Sequence, residues 1–322
     1  MTSKKETVHV ETLGVDEVEI AKNQILKGLD EAQKIIGHGD TDIDATPEEI
    51  RKLIWKTDFL ILPMLAVCYV FFFVDKTSLS YSAIFGIKDD LQLQGTEYNW
   101  LSAIFYFGYL AWAVPTNIML LKFPVAKYLG VNIFLWGVFL MCQGACKSFA
   151  TLCVLRALGG AAEACADPAF MLITSMWYTR KEQPIRIGLW YTANGFGIAV
   201  GGLVGYGIGH LKSSLPSWRY EFIIIGACCA VWGIVVFLFL PDSPVKNRYF
   251  TEREKRTIIL RLQENQTGIE TKVFKWKQAK EALMDPKTYA FFLITMFANI
   301  PNGGLSEPSL SKDLAFRPWL LL

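Results

Sequence analysis

Hydrophobic and polar residues fall into separate blocks along this chain. Apolar stretches run from about Phe59 to Phe85, Tyr98 to Leu121, Ala126 to Cys146, Phe149 to Trp177, Ile187 to Leu211 and Trp218 to Leu240, with a shorter one from Thr288 to Leu305. The first six have the roughly 20 residues that a helix needs to cross a bilayer core of about 30 Å. The pattern predicts an all-α polytopic membrane protein. It has a cytosolic tail (1–57), a six-span unit (58–240), a polar loop (241–287), a partial seventh span (288–305) and an atypical tail (306–322).

The polar blocks carry their own signals. Val18, Ala21, Ile25, Leu29, Ala32 and Ile36 recur at spacings of three and four, which predicts an amphipathic helix. Thr46-Pro47-Glu48-Glu49 reads as a helix start, with Thr at the N-cap, Pro at N1 and Glu at N3. That helix should carry Arg51, Lys52 and Lys56 into the first span. Thr251 and Glu254 repeat the capping signal in the polar loop, for a helix running to about Glu264.

Composition sharpens the class. Hydrophobic residues make up 52% of the chain and charged ones only 19%, so the charges are excluded from the spans. The net charge of +2 gives no field for nucleic acid. Where Lys and Arg sit is more telling. One set of gaps holds Arg51, Lys52, Lys56, Lys122, Lys127, Arg180, Lys181, Arg186 and the basic loop after the sixth span; the other set holds Lys88, Lys147, Lys212 and Arg219. The richer side faces the cytosol, which places the N-terminus there. The Asn265-Gln-Thr sequon then falls on the cytosolic side and is expected to be unused. All seven cysteines lie within apolar spans and act as small hydrophobes. Three scattered histidines give no metal site, and no cofactor is expected.

A charge at the bilayer centre costs at least about 2.5 kcal/mol, so charges inside spans are paired or line water-filled cavities. The fourth span places Arg156, Gly160, Glu163 and Asp167 on one helical face. Arg156 suits an anionic substrate group and Glu163 a transferable proton; a structural ion pair between helices is the alternative. Asp167 precedes Pro168 and could simply serve a helix break, so it ranks below Glu163. Asp75 and Lys76 are about 100° apart on the first span and face different partners. Either one lines the cavity while the other pairs across, or both mark a helix end at the headgroups. Asn117, Tyr191 and Asn194 are further candidates for the cavity wall, or for hydrogen-bonded glue between helices. Gly197, Gly201, Gly205 and Gly209 recur every four residues, a face for close helix packing and sliding.

Seven segments, in order, carry a family resemblance. They are Asp75-Lys-Thr-Ser-Leu-Ser-Tyr81, Leu121-Lys-Phe-Pro-Val-Ala-Lys-Tyr-Leu-Gly130, Arg156-Ala-Leu-Gly-Gly-Ala-Ala-Glu163, Phe170 to Pro184, Gly201 to His210, Leu240-Pro-Asp-Ser-Pro244 and Asn299-Ile-Pro-Asn-Gly-Gly304. The chain resembles the fungal major facilitators of the anion:cation symporter type, the group around allantoate permease. The resemblance implies a proton-coupled symporter of small carboxylates such as allantoate, ureidosuccinate, nicotinate or pantothenate. It would be a monomer in the plasma membrane, driven by the proton gradient and alternating between two six-helix halves. It also implies that Leu121–Gly130 is a cytosolic gate loop, that Arg156–Glu163 lines the cavity and that the loop after the sixth span connects the halves.

The resemblance calls for twelve spans, and apolar character gives way after Gly304. A chain of this length is expected to lack one cavity wall and not to transport alone. The seven apolar stretches also suggest a seven-span receptor-like protein. Against it stand the cytosolic N-terminus, the long loop after the sixth span and a seventh stretch without a lysine. No nucleophile elbow, histidine cluster or acidic metal cluster supports an enzyme.

Overall fold

A computed structural model describes residues 45–210, 215–245, 247–263 and 276–305. The amphipathic helix expected at 18–36, the sequon and the tail after 305 lie outside these residues. Helix α1 (Pro47–Ile84) starts with a full capping box: the Thr46 side chain accepts from the Glu49 N–H, and Glu49 accepts from the Thr46 N–H at 2.9 Å. It runs unbroken through Pro63 into the membrane. A short α2 (Ile87–Asp90) follows, then α3 (Glu97–Lys122), α4 (Val125–Gln143), α5 (Phe149–Glu163), α6 (Ala166–Trp177), α7 (Gln183–Gly209) and α8 (Ser217–Phe239). The polar loop holds α9 (Glu252–Gln263) and α10 (Trp276–Met284), and α11 (Pro286–Leu305) covers the stretch expected as a partial seventh span.

Among the described residues six spans are long and apolar enough to cross a membrane, counting α5 and α6 as one. The main packing pairs are α4 with α8, α1 with α7, and α3 with α5. Glycines set the first of these. Gly130, Gly137 and Gly144 recur every seven residues on α4, and Gly226 and Gly233 do so on α8. A seven-residue repeat keeps one stripe in contact along two gently supercoiled helices. A methyl carbon at Gly233 would lie 2.5 Å from the Phe134 nitrogen, so the backbones leave no room for one.

The α1–α7 pair uses the four-residue ladder. A methyl carbon at Gly197 would lie 2.9 Å from Phe73 Cβ, at Gly201 2.7 Å from Thr77 Oγ1, at Gly205 3.1 Å from the Tyr81 ring and at Gly209 2.8 Å from the Phe85 ring. Each four-residue step on α7 therefore meets a four-residue step on α1 in parallel register. This is i±4 ridge packing. Only the inner end is a backbone approach; the outer end is a glycine trough holding two aromatic rings.

Half of the α4 span is buried but only 17% of the α3 and α7 spans, so α3 and α7 flank the bundle. The side chains of α11 are exposed from Pro286 to Ile300. At the N-terminal end, α9 is tied down by ion pairs: Lys56–Glu254 at 2.9 Å, Arg261–Glu182 at 2.6 Å and Arg253–Glu49 at 3.7 Å. At the opposite end, Asp90 of α2 accepts from Trp218 at 3.1 Å and pairs with Arg219 at 2.9 Å.

Candidate functional site

The site begins with a helix break. Proline has no N–H to donate, and its ring clashes with the carbonyl four residues earlier. For Pro168 that residue is Ala164. The helix stops at Glu163 and restarts at Ala166, with Ala164 and Cys165 in a turn. Glu163 is thereby the last residue of α5. Asp167 lies in the first turn of α6, where the amide dipoles favour an acid.

The break faces α1. Tyr69, Phe72, Phe73 and Lys76 of α1, together with Glu163, Ala166 and Asp167, line a small open cleft. Glu163 is 7% exposed and its Oε2 has no hydrogen-bond partner. Lys76 and Asp167 are exposed. The Lys76 ammonium stands 4.9 Å from the centroid of the Phe73 ring, and its charge acts on both Glu163 and Asp167. The Tyr109 hydroxyl of α3 is within hydrogen-bonding reach of Asp167. Tyr191 of α7 closes one flank, its ring 5.3 Å from that of Tyr69.

Asp75 turns the other way. It is 2% exposed and meets Arg156, which is 4% exposed, with Arg156 Nη1 3.5 Å from Asp75 Oδ1. That approach is outside hydrogen-bond geometry and leaves both atoms without a hydrogen bond. Trp136 of α4 donates to Asp75 Oδ2 at 3.3 Å. The Arg156 guanidinium also lies over the Phe105 ring at 5.2 Å, and its Nε donates to the Leu101 carbonyl at 3.5 Å.

The expectation that Arg156 and Glu163 serve one cavity is therefore corrected. They do share a helical face, but Asp75 takes Arg156 while Lys76 shares the cleft with Glu163. Asp75, Trp136 and Phe105 enclose Arg156, while Lys76 stands in the cleft with Glu163. Asn117 does not join them: it is exposed and donates to the carbonyl of Ala113, four residues back on its own helix, at 2.7 Å. Asn194 is half-buried on α7, outside the cleft lining. The buried polar residues not anticipated include Gln143 at 2% exposure and Glu221 at 1%. Glu221 has a legible signal, an acid inside an otherwise apolar span.

Paired apolar helices with opposite charges buried between them, and a charged cleft at a broken helix, define a polytopic membrane protein. Residues 65–309 match the family model of the Major Facilitator Superfamily, and the chain belongs to this family of membrane transporters. Such proteins are not enzymes, and the receptor-like alternative finds no support in the family. The chain is 42% identical over 284 residues to an uncharacterized transporter of Schizosaccharomyces pombe, covering 88% of this chain and 52% of that protein. It is 36% identical to the allantoate permease of Saccharomyces cerevisiae, covering 87% and 52%. It is 34% identical to a thiamine pathway transporter of the same yeast, covering 95% and 60%. The chain thus spans about half the length of the curated relatives it matches. A bacterial homologue of the human lysosomal transporter Spinster, in an inward-facing and unoccupied conformation, superposes with a TM-score of 0.50. It shares 19% identity over 58% of this chain and 43% of the other, a likeness of fold alone.

Proposed function

We propose that these helices form one half of a proton-coupled symporter that carries small organic anions across the plasma membrane, with the N-terminus in the cytosol. The observation that carries this reading is the cleft, where the buried carboxyl of Glu163, with one oxygen unpartnered, faces the exposed ammonium of Lys76. An ionised Glu163 competes with any anion for Lys76. A protonated Glu163 frees Lys76 to receive a substrate carboxylate, so proton and anion enter together. Lys76 takes the anion-attracting role that the sequence suggested for Arg156, because Arg156 is closed off by Asp75. The aromatic wall of Tyr69, Phe72 and Phe73 suits the planar parts of allantoate, nicotinate or similar carboxylates. Similarity to a protein named allantoate permease supports that substrate class. The driving force is the proton gradient, with no cofactor, and the working unit is a monomer of two halves.

The cleft has one wall. Lys76, Asp167 and Tyr191 all open away from the bundle, so a chain of 322 residues expressed alone is expected to give no saturable uptake. The test uses the two-half form in cells lacking their own permease, with radiolabelled allantoate. Glu163→Gln should abolish acid-driven accumulation while exchange of labelled for unlabelled substrate continues. Lys76→Ala should raise KM roughly 10- to 100-fold, the loss of one charge-assisted contact of about 1.5–3 kcal/mol. Accumulation driven by the proton gradient in Glu163→Gln would sink the reading.

A further inference from the structure

Glu221 lies on α8, one turn inside the membrane end of that helix, and belongs to neither the cleft nor the Asp75–Arg156 pair. It is 1% exposed, and its Oε2 has no hydrogen-bond partner. Its carboxyl faces α1, within hydrogen-bonding reach of Ser78 and Ser82, which are themselves buried. Those two hydroxyls are already committed. Ser78 donates to the Val74 carbonyl at 2.8 Å, and Ser82 to the Ser78 carbonyl at 2.6 Å. A hydroxyl has one proton to give and keeps two lone pairs, so each serine can still accept from Glu221. A proton on the carboxyl therefore allows a hydrogen bond across this seam with both of those bonds kept.

The charges around it point the same way. From α1 the charged group facing Glu221 is Asp75, an acid. On its own helix Arg219 is turned to Asp90 and to the Gly144 carbonyl at the end of α4. Among the described residues Glu221 has no ion pair, and an unpaired charge at this depth is costly. Directly outside it, Asp90, Trp218 and Arg219 form a polar clasp that caps the seam.

We propose that Glu221 is a second proton-binding site, held at the α1–α8 seam by Ser78 and Ser82 and sealed from outside by the Asp90–Arg219 clasp. With its proton it joins α8 to α1. When water reaches the seam and takes the proton, a carboxylate faces two acceptors and the acid of Asp75, and the seam parts. A role for this proton in coupling rests on the symport reading above; its presence on Glu221 does not.

Infrared difference spectroscopy of the protein in lipid membranes, without substrate, decides the point. The wild type at neutral pH should show a protonated-carboxyl C=O band that shifts in D₂O and disappears in Glu221→Gln. The variant Ser78→Ala/Ser82→Ala leaves every carboxyl in place and should move the same band to higher frequency, which keeps the test decisive if the Gln variant fails to fold. A spectrum unchanged in this region by either substitution overturns the proposal. So does a band that 100-fold excess Na⁺ removes at constant pH, since the site would then hold a metal cation. Loss of symport in Glu163→Gln with the Glu221 band intact would leave the two readings separately judged.

Discussion

Replacing Asp75 with Asn tests what the Asp75–Arg156 pair does. The substitution keeps the shape of the side chain and an acceptor for Trp136, which donates to Oδ2 at 3.3 Å. It removes the carboxylate paired with Arg156, whose nearest oxygen is 3.5 Å away. Both side chains are at most 5% exposed, so solvent screens the loss very little. An uncompensated cation in a span costs about 2.5–3.5 kcal/mol on insertion scales, and breaking a buried pair in a soluble core costs about 3–5 kcal/mol. The expected destabilisation is thus about 3 kcal/mol, eased slightly by the Phe105 ring over which the guanidinium lies. For a domain of this size that lowers Tm by roughly 10 °C. The double variant Asp75→Asn/Arg156→Leu should recover most of the loss, because it leaves no buried charge unpaired. Thermal unfolding in detergent, followed by tryptophan fluorescence, gives all three values. If Asp75→Asn costs under 1 kcal/mol, or the double variant falls as far as the sum of the singles, the pair does not hold α1 to α5.

Other expectations follow from the same contacts. Gly201→Leu drives a side chain into Thr77 and should cost about 1–3 kcal/mol by overpacking, whereas Gly188→Ala, which meets nothing within 4 Å, should be neutral in the same unfolding assay. Burial pushes the Glu254 carboxyl up, but hydrogen bonds from Lys56 and from the Thr251 N–H, with the Lys56 charge, outweigh it and hold the carboxyl below its usual value. A depressed carboxylate stabilises the folded state above its ordinary value of 4.5 and loses that contribution as pH falls below it. Amide exchange in α9 should therefore quicken on acidification through that range, and Lys56→Ala should weaken the pH dependence, leaving the part due to Thr251. The pair is partly exposed, so the effect should be at most about 1 kcal/mol.

Much of the fold was legible because it is written in local terms. Each span is a run of apolar residues, α1 and α9 each start after a Thr with a Glu three residues on, and Pro168 marks its own break. The four-residue glycine ladder was legible too, but not its partner, since nothing in α7 says that Phe73, Thr77, Tyr81 and Phe85 will lie against it. The site was harder to read for the same reason. Arg156 and Glu163 share a helical stripe, and nothing in that stripe says that one will meet Asp75 of α1 and the other Lys76. Glu221 reads as a polar residue near a helix end. Its burial comes from α1, brought there by the wider packing of the bundle. Gly130, Gly137 and Gly144 went unread because their seven-residue spacing stands out only beside the matching spacing on α8.

The parallel ladder of α1 and α7 works like a toothed rack. Its teeth recur every four residues, about 6 Å along the helix axis. An axial slip of half that distance lifts the Tyr81 and Phe85 rings out of their troughs and onto the side chains between Gly205 and Gly209. A rolling motion about the line of glycines keeps every ring seated. Of the ways α7 can move against α1, the notches block the lengthwise one and leave the pivot.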